Sequence, residues 1–378
     1  MRVLLDYRPA LRQRTGVGEY VHQLARALAE PPADFVELFT SSWKDRPSAA
    51  ALAELGPAIR VVDRRIPVQC LNTAWHRLGW PPVEWLTGRE YDVVHSTTPM
   101  LIPSRRAARV VTIHDLDFLT HPERTRGEMR RTYPALVGRH AALADGIIVP
   151  AQHMAEQVVG LLHVPAERIS VCPHGVPQWA RIVPAPPGGL RAGYILFLGT
   201  LEPRKNIDGL LAAYSLLIER RPDAPPLVLA GASVPGAEAW RDTIARPPLA
   251  GRVTCCGYVE DGDRQAIYAG ARLLVLPSFD EGFGLPVVEA MSLGVPAVCT
   301  NRGSLPEVTG GAALLVDPED LAGLSDAIER VVFDGATAGR LAEAGLRQAR
   351  RFTWSRAAEL TRAAYERAID ARHRCIGG

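Results

Sequence analysis

The sequence predicts an α/β protein made of two doubly wound, Rossmann-like domains. Three observations lead there. A chain of 378 residues is too long for one ordinary core and divides by default into two. Short β-branched or apolar runs alternate with helical patterns almost throughout, which is the rhythm of βαβ units in a parallel sheet covered on both faces. That rhythm breaks once, at the Pro- and Gly-rich RIVPAPPGGLRAG (181–193), which reads as a linker, and then restarts.

The elements follow in order. RVLLD (2–6) is the first strand, and its helix is GEYVHQLARALAE (18–30). DVVHS (92–96), RVVTI (109–113), GIIVP (146–150) and ISVCP (169–173) are further strands, with the helix MAEQVVGLLH (154–163) between the last two. The second half opens with strand YILFLG (194–199) and helix IDGLLAAYSLLIER (207–220), followed by strands PLVLAG (226–231), RVTCCG (252–257) and RLLVLP (272–277). Three helices close the chain: LAGLSDAIERVVF (321–333), AGRLAEAGLRQARRF (338–352) and WSRAAELTRAAYERAID (354–370). The domains are set at 1–182 and 183–352, with a closing helical segment at 353–378. Ligands of such sheets bind beyond the C-terminal strand ends. With two sheets face to face, the expected place is the cleft between them.

Composition removes several function classes. Hydrophobic residues make up 47% and charged residues 22%, as in an ordinary soluble globular protein. A net charge of +2 gives no reason to expect nucleic acid as a partner. No run approaches the ~20 apolar residues of a membrane span, and MRVLLDYRPALRQ has too short an apolar core for a signal peptide. The six cysteines (70, 172, 255, 256, 299, 375) include no metal-like CxxC pair, which fits a reduced, cytoplasmic compartment. Of the 43 basic residues only Lys44 and Lys205 are lysines, so a lysine here is an exception.

The chemistry concentrates in FDEGFGLPVVEAMSLGVP (279–296). It follows the strand run LLVLPS, and Pro286 suits the first turn of a helix. The loop therefore lies at a strand C-terminus and a helix N-terminus, where backbone N–H groups and the helix dipole favour an anion. Gly282 and Gly284 let the backbone approach a phosphate closely. Glu289 is expected in the first helical turn and Glu281 on the rim. A carboxylate accepts two hydroxyl hydrogen bonds, which suits the diol of a ribose or sugar. Diphosphate plus hydroxyls on both sides means a nucleotide sugar. The competing reading is an ordinary loop with a dipole-stabilising Glu289. GTLEPRKNI (199–207) holds the same position after its own strand, with Asn206 or the turn before it capping the next helix. Arg204 and Lys205 there are expected to face the cleft and neutralise a departing diphosphate; the alternative is a solvated basic turn. A cleft lysine has no core to lose, so Lys205→Ala is expected to leave folding almost unchanged.

Other positions are less specific. In RTGVGEY (14–20), Gly16 and Gly18 either admit a phosphate or acceptor to the backbone or make a plain turn. His114, in VTIHDLDF (111–118), stands just beyond a strand end and is either a ligand contact or a structural histidine; His95 is a second candidate. NTAWHRLGWPPVEW (72–85) carries Trp75, Trp80, Trp85 and Arg77. It fits a helix packed on its domain better than an interfacial membrane helix. No DxD-like pair occupies a convincing metal position; Asp115 and Asp117 have no second cluster, so no metal and no cofactor is expected.

GTLEPRKNI followed by PSFDEGFGLPVVEAMSLGVPAV resembles the donor-site signature of retaining GT-B glycosyltransferases, and more narrowly the family-four group that includes many bacterial mannosyltransferases. RTGVGEY, LNTAWHRLGWPPVEWL, DVVHS and VTIHDLDFLTHPE resemble the acceptor-domain segments of that group, and FTWSRAAELTRAAYERA resembles its C-terminal helix, which crosses back to the first domain. The likeness covers nearly the whole chain. It implies that Glu289 holds the donor ribose. Glu281 contacts the transferred sugar, with the amides of Phe283, Gly284 and Leu285 nearby. Arg204 and Lys205 hold the diphosphate, His114 lines the sugar site, and the backbone near Tyr258 reads the base. It further implies retention of anomeric configuration without a metal, the leaving phosphate taking the acceptor's proton. No protein nucleophile is then needed, and none is evident. The implied donor is a nucleotide sugar, GDP-mannose as first guess, and the acceptor a glycan, a lipid-linked glycan or a small molecule; the Trp75–Trp85 patch leaves a peripheral contact at the inner membrane face open. Two segments depart from the group: AQHM (151–154) where serines are usual, and His174 in CPHGV (172–176) where asparagine is usual. Both leave the sugar open. The alternatives are a GT-B-like sugar-nucleotide epimerase and a non-catalytic nucleotide-sugar-binding protein.

Overall fold

The computed structural model describes residues 1–11, 14, 16–31, 34–122, 127–179, 185–233 and 238–376. The chain divides into two compact units, Met1–Gly175 with Thr353–Gly378, and Val176–Phe352. The boundary expected between 182 and 183 lies outside the described residues.

The first unit is a seven-stranded parallel sheet: β1 Arg2–Asp6, β2 Phe35–Thr40, β3 Arg60–Asp63, β4 Val93–Ser96, β5 Ala108–Thr112, β6 Gly146–Val149 and β7 Ile169–Val171, in the order β3-β2-β1-β4-β5-β6-β7. Its central strands are buried on both faces, as continuous runs such as VLL and VVT require. The helices Gly16–Ala29 and Trp354–Ile376 pack together on one face. Small residues let the second helix come close: Ala357, Ala358, Ala364 and Ala368 are buried. A Cβ at Gly175 would stand 2.3 Å from the Trp354 amide nitrogen, so only glycine fits there. Arg362 on the same helix reaches Asp34 at 2.8 Å.

The second unit is a six-stranded parallel sheet: β8 Tyr194–Leu198, β9 Leu227–Ala230, β10 Val253–Gly257, β11 Ala271–Leu276, β12 Ala297–Thr300 and β13 Leu314–Val316, in the order β10-β9-β8-β11-β12-β13. Both sheets are doubly wound, and each reverses its strand order once, between β1 and β4 and between β8 and β11. Loops beyond the strand ends at such a reversal diverge to opposite faces and leave a crevice for a ligand.

Two expectations need correction. Residues 72–85 do not make one packed helix. They are broken into Val68–Thr73, a π-turn at Ala74–Leu78 and Val83–Thr87. Trp75 is buried, but Trp80 and Trp85 are 57% and 60% exposed, with ring centroids 6.0 Å apart. His95 is a core residue. Its Nδ1 meets the Tyr365 hydroxyl at 2.7 Å and its Nε2 the Thr112 hydroxyl at 2.7 Å, so both ring nitrogens are satisfied inside the protein.

Burial pushes the His95 imidazole down to about 3, with His114 adding to the shift. Its folded pKa is depressed, so between about 6.5 and 3 the unfolded chain binds more protons, and stability falls as pH falls through that window. This one group removes up to about 1.4 kcal/mol per pH unit. Denaturant titrations of the wild type between pH 7.5 and 5 should show the loss in the transition that reports the first unit. His95→Gln should be less stable at pH 7.5 and show a shallower pH slope. An unchanged slope would assign the loss to other groups.

Candidate functional site

The reversal between β8 and β11 brings the two strongest sequence motifs together. The segment after β8 carries Arg204 and Lys205, and the segment after β11 carries Glu281. The Phe279 amide donates to the Arg204 carbonyl at 2.9 Å, and the Arg204 guanidinium donates to the Asp280 carbonyl at 2.9 Å. Asn206 adopts a left-handed backbone, φ +54°. Its side chain caps the helix Ile207–Arg220 through the Gly209 amide at 3.2 Å and donates to the Pro318 carbonyl at 2.9 Å. A Cβ at Gly209 would strike that side chain at 2.5 Å. The turn that aims the two cations is thus locked on both sides.

Glu281 is buried and fully engaged, not a rim carboxylate. Its Oε1 accepts from the Lys205 ammonium at 2.6 Å and from the Ser278 hydroxyl at 2.6 Å, and its Oε2 lies 3.8 Å from Arg204. Burial works to raise its carboxyl, but Lys205, Arg204 and the two donated hydrogen bonds outweigh it and hold the group below the usual carboxylate range. Lys205 is buried as well, with 9% exposure, which corrects the expectation of a lysine with no core to lose. Arg204 also pairs with Glu202 at 3.1 Å. The diphosphate candidates therefore belong to a compensated charge cluster. An ammonium carries three donors, and Lys205 gives one of them to Glu281.

The loop between the acids is shaped from beneath. Ser304 donates its hydroxyl to the Gly282 carbonyl at 2.8 Å and its amide to the Glu281 carbonyl at 2.9 Å. A Cβ at Gly303 would lie 2.6 Å from the Glu281 amide nitrogen. Phe283 is buried against Phe352, with centroids 5.5 Å apart, so the side chain anchors the loop. Gly284, at φ +90°, caps the helix Leu285–Ser292, and Leu285 and Pro286 open it. The dipole's positive end is thereby set beside Glu281.

Glu289 lies in the second turn of that helix rather than the first. It is 1% exposed. Arg264 pairs with its Oε1, and the Tyr268 hydroxyl donates to its Oε2 at 2.7 Å. Tyr258 follows β10, at the sheet edge beyond β9. Sequence reasoning did not pick out Arg264, Tyr268, Ser278, Gly303 or Ser304. Only the i, i+4 spacing of Arg264 and Tyr268 on one helix was available as a signal.

In the first unit the helix begins at Gly16 itself. A Cβ at Gly18 would meet the Pro9 carbonyl at 3.0 Å, whereas Gly16 faces open space, so Gly18 has a packing reason. His114 lies beyond β5. Its Nε2 meets the Thr97 carbonyl at 3.0 Å; a carbonyl only accepts, so Nε2 carries the proton. Burial lowers the imidazole despite the Thr97 bond and Asp115, which leaves it neutral at pH 7 with Nδ1 an acceptor. The Tyr20 ring packs on His114 at 4.8 Å and on His174 at 4.5 Å, and His174 stacks on Trp354. The unusual His174 therefore completes an aromatic wall beside His114. Among the described residues no group of three or more His, Cys, Asp or Glu side chains is placed to hold a metal ion.

A family model described as Glycosyltransferase Family 4 matches residues 14–178, and one described as Glycosyl transferases group 1 matches residues 192–334. The chain is 32% identical to O-antigen chain mannosyltransferase B of Escherichia coli, over 97% of this chain and 100% of that protein. It is 28% identical to the D-inositol 3-phosphate glycosyltransferase of Pseudarthrobacter chlorophenolicus, over 94% of this chain and 91% of that one. Among solved structures, sucrose-phosphate synthase from Thermosynechococcus elongatus matches with a TM-score of 0.77 at 22% identity, covering 98% of this chain and 100% of that one. The Anabaena protein HepE, in complex with UDP and glucose, matches at 0.71 and 19% identity, covering 96% of this chain and 98% of that one.

The buried ion pair makes a stability prediction. Lys205→Ala strands a buried carboxylate and should destabilise the second unit by on the order of 3 kcal/mol. Adding Glu281→Met removes the stranded charge and should restore part of the loss. Urea denaturation of the two variants tests this, and a double variant less stable than the single one would contradict it.

Proposed function

The chain belongs to glycosyltransferase family 4 and has the GT-B fold, and from that premise we propose that it is a retaining, metal-independent hexosyltransferase. Its donor is a nucleotide-diphosphate sugar, GDP-mannose first, and its acceptor is a glycan or lipid-linked glycan. The observation that carries this reading is the convergence of Arg204, Lys205 and Glu281 beside the helix N-terminus at Leu285, with Glu289 one turn further on. Likeness to an O-antigen mannosyltransferase along its full length favours mannose.

In this reading the donor diphosphate lies on the amides around Gly284 and Leu285 and draws on the remaining donors of Lys205 and on Arg204. Positive charge develops on the sugar ring as the glycosidic bond breaks, and the ionised Glu281 stabilises it. His114, neutral, accepts a sugar hydroxyl at Nδ1. The departing phosphate takes the acceptor's proton, so no carboxylate is required as a nucleophile. Arg204, Lys205 and the helix dipole supply the positive charge that a metal otherwise supplies.

Purified protein incubated with GDP-mannose and a mannose-ended glycan in EDTA should form a product with the donor's anomeric configuration, read by NMR. Glu281→Gln should lower turnover by ~100-fold, and because it also takes the charge partner from Lys205, GDP affinity read by calorimetry should change by far less than turnover does. An inverted product, or activity lost in EDTA and regained with Mg²⁺, would overturn the mechanism. Binding of donor without any turnover would favour the nucleotide-sugar-binding alternative.

The protein acts on the cytoplasmic side and touches the membrane peripherally. No described helix is long and apolar enough to cross a bilayer. The support is the exposed Trp80–Trp85 pair with Leu78, at 73% exposure, and the exposed Arg64, Arg65, Arg77 and Arg89 around them in sequence. Exposed aromatic rings with exposed cations close by in sequence suit an anionic lipid interface. Vesicles containing phosphatidylglycerol should sediment with the protein, and pure phosphatidylcholine vesicles should do so weakly. Trp80→Ala with Trp85→Ala should abolish binding; equal sedimentation of wild type and double variant would remove this surface from consideration.

A further inference from the structure

We propose that Tyr20 and His174 are positioning residues for His114: their rings hold its imidazole so that Nδ1 is presented to the transferred sugar. The inference rests on the reading of His114 as a sugar contact. Tyr20 and His174 are buried, at 2% and 4% exposure, so neither reaches a ligand itself. His114 differs. It is partly exposed, and its Nε2 is taken by the Thr97 carbonyl at 3.0 Å. Its Nδ1 is neither bonded to a described residue nor shut off from solvent. One ring nitrogen anchors the imidazole, and the other is left to accept a hydrogen bond.

A single hydrogen bond leaves an imidazole some swing about its last torsion, where rotamers are broad. Two neighbouring rings limit that swing. Tyr20 meets His114 edge to face, with centroids 4.8 Å apart, and His174 meets it at 5.5 Å. Tyr20 and His174 also pack on each other at 4.5 Å, so the three rings close into one cluster. Each support is itself held. The Tyr20 hydroxyl meets the Thr112 hydroxyl at 3.1 Å. His174 stacks on Trp354 with an interplanar angle of 18°, and Gly175 beside it lies directly on the Trp354 backbone. Thr97 donates its hydroxyl to the Asp6 carbonyl at 2.8 Å, which fixes the residue whose carbonyl receives His114. An asparagine at position 174 would have no ring and could not close the cluster.

A positioning residue acts through His114, whereas a merely structural one acts whether or not His114 is present. With GDP-mannose as donor, His174→Asn and Tyr20→Leu should each lower turnover by ~10-fold or more, the scale of a small misplacement near a reacting centre, and leave GDP affinity within about twofold by calorimetry. His174→Phe keeps a ring and should retain most of the turnover. In a His114→Ala background the same substitutions should lower turnover no further. Should Tyr20→Leu not fold, His174→Asn and His174→Phe carry the test. Nitrogen NMR on histidine-labelled protein gives a second readout that needs no donor. The His114 signals, assigned by their loss in His114→Ala, should show the Nε2–H tautomer alone in the wild type and a mixture in His174→Asn. Equal proportional losses of turnover with and without His114, or His114 signals unchanged in the Tyr20 and His174 variants, overturn the positioning role while leaving His114 at the sugar. Wild-type turnover in His114→Ala overturns the sugar reading itself, and the positioning role with it. A wild type inert toward GDP-mannose overturns the donor assignment alone, and the spectra then decide the positioning role.

Discussion

The ion pair between Lys205 and Glu281 joins two segments 76 residues apart in the chain, and the candidate site depends on it. Neither charge is tolerable alone at that depth. The carboxylate is ionised because Lys205, Arg204 and Ser278 surround it, and Lys205 is buried because Glu281 is there. The pair can form only because β8 and β11 are neighbours at the point where the strand order reverses. Their C-terminal loops then start side by side and diverge. The topology creates the place, and the ion pair sets its geometry.

Rigidity spreads outward from this centre through glycines and hydroxyls rather than bulk. Gly303 lets a neighbouring loop come within contact of the Glu281 backbone, and Ser304 holds that backbone by two hydrogen bonds. Gly284 turns left-handed to start the helix that carries Glu289. The two acids are therefore attached to one loop–helix unit but held by different partners, Glu281 by the segment after β8 and Glu289 by the helix Asp261–Ala269. Separate restraints allow separate roles: Glu281 is set between Lys205, Arg204 and Ser278, and Glu289 between Arg264 and Tyr268.

In the first unit the same economy is achieved with aromatic and imidazole groups. The chain Tyr365–His95–Thr112–Tyr20 runs from the C-terminal helix through two strands to the helix Gly16–Ala29 by hydrogen bonds of 2.7, 2.7 and 3.1 Å. Tyr20 then packs on His114. The Thr97 carbonyl gives this histidine one tautomer, the Tyr20 ring helps fix its orientation, and residues 353–376 become part of what holds it.

Much of this architecture was legible in the sequence, because the period of apolar residues and the position of Gly and Pro are local properties. The strands β1 and β8, the helix Ile207–Arg220, the cap at Asn206 and the helix start at Pro286 all follow from neighbours within a few positions. So does the family, since its motifs are contiguous. Local reasoning also identified Arg204, Lys205, Glu281 and Glu289 as the acids and bases of interest. It misjudged their surroundings: Lys205 and Glu281 are buried against each other, and Glu289 lies a turn deeper with Arg264 and Tyr268 on it. It also placed Trp80 and Trp85 in a packed helix, where the structure breaks the segment and exposes both rings. Whether a charge is bare or paired depends on which side chain arrives from another strand, and whether an aromatic ring is covered depends on where the helix ends. Both are consequences of tertiary packing, and no periodicity in the chain encodes them.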